Sequence, residues 1–377
     1  METRKADVAI VGAGIVGLAH AYAAASRGCS VVVFDRDPLA RGASVRNFGM
    51  IWPIGQPPGA LLDMALRSRR IWCDVLGQAH LPHSPTGSLH VVYRDDEAAV
   101  AREFAQLAPQ HGYDCRWLDP AQVLDRSPAV RPEGLIGALW SATEMTVDPR
   151  QVMSELPGFL AARHGVALRY GTTVRAISHP FVDAGTERWQ AERIFVCGGD
   201  EFGAVYPAIF DSSGITRCKL QMMRTAPQPN GWQLGPSLAA GLTLRYYPSF
   251  ELCPTLPALK RRIASETPEF DRLGVHVMLS QTPLGEITIG DSHEYGLAID
   301  PFDKPQIDEI ILRYLASFAR LPDSAIVQRW HGVYAKHPSL SYFLATPEPG
   351  VSIVTVTAGV GMTLSFGLAD QNLEGIA

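Results

Sequence analysis

The sequence predicts an α/β fold in which a parallel sheet at the N-terminus is joined to a second, antiparallel sheet. The β-branched run Asp7–Val11 is typical of a buried parallel strand, and a glycine turn follows it. The alanine-rich segment Ile15–Arg27 then indicates a helix that stops at Gly28, and Ser30–Phe34 indicates a second strand. With 377 residues the chain is long enough for two domains of roughly 100 to 200 residues each.

Composition and charge argue against several classes of protein. Hydrophobic residues make up 46% and charged residues 19% of the chain, which is typical of a globular protein rather than a disordered one. The net charge is -5 and the basic residues are scattered, so we expect no nucleic-acid partner. There is no run of about 18 apolar residues, so we expect no membrane span. The six cysteines are widely spaced, without a CxxC or a Cys/His cluster, which indicates reduced thiols, a cytoplasmic protein and no metal site.

The glycine turn after the first strand carries the clearest chemical signal. In GAGIVG, Gly12 permits the tight turn, Gly14 lets the backbone approach a pyrophosphate, and Gly17 lets the helix lie against the strand. Ile15 and Val16 open that helix, whose positive end would face the phosphates. The combination predicts a Rossmann-type dinucleotide site, whereas the alternative is a glycine-rich turn in an α/β domain without a ligand.

The residues after the second strand extend this site. Asp35 lies roughly 20 residues beyond the glycines, where a carboxylate accepts hydrogen bonds from ribose hydroxyls. Arg36 follows it, and we expect both residues to contact the cofactor.

The segment that follows resembles a known family. Its small and polar residues, RGAS and RNFG, are similar to the segment that wraps FAD in the D-amino-acid oxidase superfamily, and the size and layout resemble the glycine oxidase and sarcosine oxidase group. Small residues let backbone amides reach phosphate and flavin, while arginine and serine supply donors. The resemblance implies FAD as cofactor and contacts from Ala43, Ser44, Arg46, Asn47, Phe48 and Gly49; an exposed polar loop is the alternative for Arg46 and Asn47.

Two later segments carry the same resemblance. Arg193–Gly199 is a buried strand that ends in Gly198 and Gly199, similar to the strand over the adenine half of FAD, and Val174 is also expected to contact the cofactor. Ser352–Phe366 is a strand, a glycine turn and a helix start, and in the family this helix points its N-terminus at the flavin pyrimidine edge. The resemblance therefore implies contacts from Gly359, Gly361, Met362 and Thr363.

The resulting fold is a Rossmann-type FAD-binding domain interleaved with an α+β substrate domain built on an antiparallel sheet. We expect residues 1–80, 141–215 and 325–377 in the FAD-binding domain, and 81–140 and 216–324 in the substrate domain.

Three segments have the pattern of antiparallel strands in the substrate domain. They are Gly241–Tyr247, Val275–Gln281 and Glu286–Gly290, the last two joined by a short turn. Apolar residues at helical spacing predict a helix over Gln306–Phe318.

The resemblance also implies a reaction. It is the FAD-dependent oxidation of a small amine with an anionic tail by hydride transfer to flavin N5, giving an imine and then an aldehyde and an amine, with hydrogen peroxide where oxygen is the acceptor. The wording RNFGMIWPIGQP resembles a subgroup associated with aminophosphonate breakdown; glycine derivatives and N-substituted amino acids are the other substrate classes. Oxidation of a 2-hydroxy acid, with His331 as base, and a flavin-binding protein without turnover remain alternatives.

The substrate pocket has four candidate residues. An anionic tail needs a positively charged partner, and Arg245, placed on the predicted strand, is the expected anion clamp, together with Tyr247, His331 and Lys336. Solvated or ion-paired side chains are the alternative. Thr363 stands where sarcosine-oxidase-like enzymes often have an oxygen-activating lysine, which leaves that role to Lys336 or His331, or indicates another acceptor. The segment Gly332–Pro338 lacks the arginine that several amino-acid oxidases use for a carboxylate.

Overall fold

The computed structural model describes residues 3–375 and divides them between two large sheets, a small sheet and the helices around them. The strands are β1 Thr3–Val11, β2 Val31–Phe34, β3 Met50–Ile51, β4 His83–Ser84, β5 Ser88–Val92, β6 Cys115–Leu118, β7 Gly137–Ser141, β8 Met145–Val147, β9 Ala167–Arg169, β10 Val174–Ser178, β11 Phe181–Ala184, β12 Glu187–Val196, β13 Thr216–Pro227, β14 Ser237–Ala240, β15 Met278–Gln281, β16 Glu286–Gly290, β17 Glu294–Gly296, β18 Ile326–Lys336, β19 Tyr342–Ala345 and β20 Val351–Val356. The α-helices are α1 Ile15–Ala25, α2 Ala60–Gln78, α3 Asp95–Leu107, α4 Pro120–Arg126, α5 Pro149–His164, α6 Pro207–Asp211, α7 Gly241–Leu244, α8 Leu256–Glu266, α9 Pro268–Arg272, α10 Pro305–Phe318 and α11 Gly361–Asn372, and short 3-10 turns cover Ala43–Val45, Pro53–Gly55, Ala108–His111, Pro229–Gly231 and Pro248–Leu252.

The first sheet has a parallel centre, as the N-terminal pattern predicts. Its order is β10-β11-β12-β1-β2-β9, and β20 also pairs with β12 and with β19. Strand β1 is parallel to both β12 and β2, and β12 is parallel to β20. Helix α1 contacts β1 and β2 as well as α5 and α11. The predicted strand, helix and strand of the first 34 residues are therefore confirmed.

The second sheet is antiparallel except at one pair of strands. Its order is β17-β13-β16-β15-β14-β5-β7-β6, with β18 paired to β13, and only β14 and β5 run parallel among these described strands. The hairpin of β15 and β16 and the helix α10 confirm the predictions for those segments, although β15 begins at Met278 rather than at Val275.

One strand prediction in this second region is wrong. Gly241–Tyr247 is not a strand: Gly241–Leu244 forms α7, whose residues Leu242, Thr243 and Leu244 are all buried, so packing on more than one side overrides the strand pattern. Strand β18 pairs with β13 along nearly its whole length. Residues 326–336 therefore pair with the second sheet, although they fall in the range 325–377 that we expect in the FAD-binding domain.

Three apolar cores hold these layers together. One lies between the second sheet and helices α3, α8 and α10, and it includes Phe104, Phe250 and Phe318. The other two lie on opposite faces of the first sheet, one of them against α1, α2, α5 and α11. Among residues 3–375, no helix is both long enough and apolar enough to cross a membrane. The six cysteines are free thiols, and four of them are buried.

Candidate functional site

A long cleft begins where the central strands of the first sheet end. Val11, the last residue of β1, pairs with Phe34 of β2 and with Val196 of β12. Because these strands are parallel, Gly12 and Asp35 come out at the same edge, where ligands bind in open α/β sheets. This glycine cleft is lined by 39 residues that extend from Val11 to Met362 in the sequence.

The glycine turn can form only without side chains at two positions. Gly12 has a φ of +104°, and a Cβ there would lie 2.3 Å from the carbonyl oxygen of Cys197. A Cβ on Gly17 would lie 1.9 Å from the carbonyl oxygen of Gly12, so this position sets how close α1 lies to β1. Gly17 itself is buried behind the cleft, whereas Gly12, Gly14, Ile15 and Val16 line it. This bare backbone beside a helix N-terminus suits a pyrophosphate.

Two polar side chains fasten the turn. Asp35 Oδ2 accepts a hydrogen bond of 2.7 Å from the backbone N–H of Ala13, and Ser44 Oγ accepts one of 3.0 Å from the N–H of Ile15. Asp35 and Ser44 both line the cleft. Arg36 also lines it, but its guanidinium pairs with Glu201 at 2.6 Å.

The loop after β2 is held largely by its own hydrogen bonds. The Asn47 side chain donates to the carbonyl of Ala43 at 2.8 Å and accepts from the N–H of Gly49 at 2.7 Å. Ala43, Arg46 and Asn47 line the cleft. Phe48 and Gly49 lie outside its lining, because Phe48 packs towards Gly290 and Gly49 bonds to Val147.

The opposite wall comes from later parts of the chain. Val174, Gly198, Gly199, Gly359, Gly361 and Met362 line the cleft, and α11 starts at Gly361. Thr363 does not line it: the side chain is buried, and its Oγ1 accepts a hydrogen bond of 2.9 Å from the N–H of Trp52. The side chain of Thr363 therefore fixes a loop and does not face the cleft.

The far end of the cleft meets the second sheet at β18. Gly332, Val333, Tyr334 and Ala335 line this end. Lys336, the next residue, forms a β-bridge with Ala358 and so lies beside the turn at Gly359. Partial burial lowers the pKa of the Lys336 amine, and within residues 3–375 no carboxylate lies at ion-pair distance from it.

None of the four predicted substrate residues is among the residues that line the cleft, and two of them are engaged elsewhere. Arg245 follows α7, and its guanidinium donates to Asp271 at 2.9 Å, to the carbonyl of Leu242 at 2.8 Å and to that of Val275 at 3.3 Å. These bonds direct its donors into the protein, which argues against an anion clamp. His331 pairs with Asp303 at 2.8 Å and is not among the residues that line the cleft, which argues against a base beside the flavin.

Tyr247 and Lys336 lie near a group of buried polar side chains, His276, Asp291 and His293, that the sequence does not identify as a cluster. Tyr247 is buried, its hydroxyl lies 3.6 Å from Met278 Sδ, and its ring lies edge-on to His276 at 5.9 Å. Lys336 is close enough to His293 for its charge to lower the pKa of that histidine. We call His276, Asp291 and His293 the histidine–aspartate cluster.

The histidine–aspartate cluster has a marked electrostatic environment. Burial lowers the pKa of His276 and His293, the latter to about 4, and raises the pKa of Asp291. Tyr246 stacks on His276 with ring centroids 4.0 Å apart. In the sequence, this cluster is indicated only by Asp291 and His293, two residues apart after a strand. His276 lies 15 residues earlier and is brought beside them by the pairing of β15 with β16.

Comparison with known proteins agrees with this geometry. The chain matches the model of the FAD dependent oxidoreductase family over residues 7–371. It is 29% identical over 150 residues to one subunit of the anaerobic glycerol-3-phosphate dehydrogenase of Escherichia coli K12, a match that takes in 39% of this chain and 27% of that relative's length. It is 23% identical to one subunit of the opine oxidase of Agrobacterium tumefaciens, and that match covers 96% of this chain and 91% of the relative.

Solved structures show the same fold. The structure of glycine oxidase from Geobacillus kaustophilus superposes with a TM-score of 0.77 at 20% identity, and the match covers 98% of this chain and 95% of that one. The cleft also fits a dinucleotide, since bare glycine backbone, the N-terminus of α1 and the Asp35 carboxylate all line it. The chain belongs to the family of FAD-dependent oxidoreductases, and FAD is its cofactor.

Proposed function

We propose that this chain oxidises a small amine that carries an anionic tail, with bound FAD as the electron acceptor. One observation carries the proposal: the glycine cleft ends beside Lys336, a partly buried lysine that lies next to the turn at Gly359. A buried anion needs a positively charged partner, and Lys336 has no other ion pair among residues 3–375. A substrate held at this end of the cleft would satisfy that amine.

The similar proteins support an amine as the reacting group. They include a glycine oxidase, matched in fold over nearly the whole chain, and an opine oxidase, one subunit of which is matched in sequence over 96% of this chain. Glycine is itself a small amine with an anionic tail. His331, which a 2-hydroxy-acid oxidase would use as its base, is paired with Asp303 outside the cleft lining. Amine oxidation is therefore favoured over hydroxy-acid oxidation.

The chain's own residues would bind and orient the substrate. When bound, FAD supplies the two-electron acceptor for the carbon–nitrogen bond that is oxidised. Lys336 would hold the anionic tail, and Tyr334 would close the end of the cleft, where a Cβ on Gly359 would lie only 3.1 Å from the Tyr334 ring. Fixing the reacting carbon in this way is the main contribution that such a protein makes.

The chemical identity of the anionic tail is a more specific part of the proposal. The loop Arg46–Pro57 resembles that of proteins associated with aminophosphonates. We therefore rank an aminophosphonate first among the substrates, followed by glycine derivatives and N-substituted amino acids. The imine product would be hydrolysed to an aldehyde and an amine.

Anaerobic mixing tests the proposal directly. The purified yellow protein is mixed with 2-aminoethylphosphonate and its N-methyl derivative, with glycine and sarcosine, and with lactate and glycerol 3-phosphate. We expect an amine to bleach the flavin absorbance band, and air to restore it with release of hydrogen peroxide if oxygen is the acceptor. Bleaching by lactate or glycerol 3-phosphate alone would contradict the proposal, as would a flavin that no member of the panel reduces.

A further inference from the structure

The histidine–aspartate cluster has the composition and spacing of a metal site. His276, Asp291 and His293 each offer one ligand atom, and these atoms all lie within 4.8 Å of one another. His276 Nε2 is 3.2 Å from Asp291 Oδ1. The side chains of the three residues are almost completely buried, so water does not compete for them.

The backbone of the second sheet holds the three residues in place. His276 and Asp291 exchange two backbone hydrogen bonds, of 3.3 and 2.8 Å, and the N–H of His293 donates to the carbonyl of Leu273 at 2.9 Å. The His293 ring is oriented as well, because its Nδ1 donates to the carbonyl of Gly274 at 2.9 Å. Its Nε2 therefore carries the free lone pair. Such a bond from the second ring nitrogen is what usually fixes a metal-binding histidine.

The protein leaves polar atoms of this cluster without partners. Asp291 Oδ1 and His276 Nδ1 are buried and have no hydrogen-bond partner within residues 3–375, although His276 Nε2 lies 3.2 Å from Asp291 Oδ1. In the same part of the chain no lysine or arginine pairs with Asp291, and the neighbouring guanidinium of Arg245 is already paired with Asp271. Ionising a buried carboxyl group without a counter-charge is very unfavourable, which is why burial favours the neutral form of Asp291. A bound cation would supply the missing counter-charge and stabilise the ionised form of Asp291.

We propose that His276, Asp291 and His293 bind one divalent transition-metal ion, for which Zn²⁺ is the best match. Two imidazoles and one carboxylate are ligands that zinc accepts, whereas Mg²⁺ and Ca²⁺ prefer oxygen ligands alone. Three protein ligands leave one position of a tetrahedral zinc site for water or another small ligand. The inference rests on the geometry of these residues and does not depend on which substrate the flavin oxidises.

Metal content and cobalt binding test this inference on the flavin-loaded protein. The holoprotein is stripped with a chelator, reconstituted with Zn²⁺ or Co²⁺ and dialysed, and bound metal is measured by mass spectrometry. We expect one ion per chain, and for Co²⁺ a d–d absorption at wavelengths beyond the flavin band. Asp291→Asn and His293→Gln should each lower the affinity for metal by more than roughly tenfold.

A matched control separates the site from nonspecific binding. His20→Gln removes another buried histidine, on α1, and should leave the metal content unchanged. Flavin absorbance and circular dichroism of the same samples report whether each variant is folded. Wild-type protein that binds no Co²⁺, or folded Asp291→Asn and His293→Gln proteins that bind as much as wild type, would overturn the metal site. A flavin that fails to bleach with amines while metal still binds would contradict only the proposed reaction.

Discussion

The glycine cleft and the histidine–aspartate cluster recognise charge in opposite ways. The cleft presents backbone: Gly12 and Gly14 face it without side chains, and the start of α1 points into it. The cluster presents side chains, with two imidazoles and a carboxylate enclosed by the second sheet. The first arrangement suits an extended anion such as a diphosphate, and the second suits a compact cation.

The two regions also differ in how their parts come together. Gly12, Gly14, Gly17 and Asp35 lie within 24 residues of sequence, so the motif specifies the local geometry. His276 and Asp291 meet only because two strands pair across a turn. A substitution in the cleft should therefore impair FAD binding by a steric clash with the backbone. A substitution in the cluster should impair metal binding by removing a ligand side chain.

The largest effect should come from filling the space at Gly17. Gly17→Ala places a Cβ 1.9 Å from the Gly12 carbonyl oxygen, so α1 must move away from β1 and the glycine turn must distort. We expect purified Gly17→Ala to retain less than roughly a tenth of the wild-type flavin, measured by absorbance per chain. Gly77→Ala is the matched control: it lies in α2 with no atom near the added Cβ, and should stabilise the protein by roughly 0.5 to 1 kcal/mol. A Gly17→Ala protein with full flavin content would show that this contact relaxes easily.

The sequence predicts a region well when its structure depends on residues that are neighbours in the chain. The strand, turn and helix of the first 34 residues depend on neighbours in the chain, and they were predicted correctly. The strand expected over Gly241–Tyr247 was not: Gly241–Leu244 is a buried helical turn packed so closely against α3 that a Cβ on Gly241 would lie 2.1 Å from Glu97. No local pattern contains that contact.

The sequence also does not show which side chains the candidate residues pair with. Arg245 finds Asp271 and His331 finds Asp303, each 26 or 28 residues away in sequence. Residue type alone identified a possible anion ligand or base, but only the tertiary structure shows which of these groups are already paired. Lys336 could be recognised as a candidate from its position before the last glycine segment.

The next largest effect should distinguish Lys336 from Arg245. Lys336→Met removes the proposed partner of the anionic tail, and we expect KM to rise by roughly 10- to 100-fold, with flavin content unchanged. Arg245→Met instead leaves Asp271 and two carbonyls without their donor, so it should lower the free energy of unfolding by about 1 to 3 kcal/mol and leave KM nearly constant. Steady-state kinetics and urea denaturation of both variants check this pair. A larger KM effect from Arg245→Met would reverse the two roles.

A smaller effect should appear when the pH is lowered. His20 is buried with both ring nitrogens bonded: Nδ1 donates to Val16 at 2.7 Å and Nε2 accepts from Asn372 at 3.0 Å. Burial lowers its pKa from 6.5 to about 4. Between these values the unfolded chain takes up a proton that the folded chain refuses, so stability falls as the pH falls.

His20→Gln isolates this contribution because glutamine does not titrate. From pH 7 to pH 5, the histidine should account for about 2 kcal/mol of the lost unfolding free energy, and the variant should lose that much less. Urea denaturation at the two pH values measures the difference. Identical losses in wild type and variant would mean that His20 is protonated in the folded protein.

The smallest effect should come from a hydroxyl that supports the glycine turn. Ser44 Oγ accepts the hydrogen bond from the N–H of Ile15 at the start of α1, where Gly14 offers no side-chain cap. Ser44→Ala removes this acceptor and should weaken FAD binding by about 1 kcal/mol, or roughly fivefold in Kd, measured by fluorescence titration of the apoprotein. The change is small because the other amides of the turn remain in place. If Ser44→Ala lost as much flavin as Gly17→Ala, FAD binding would depend on side chains, as metal binding does in the histidine–aspartate cluster.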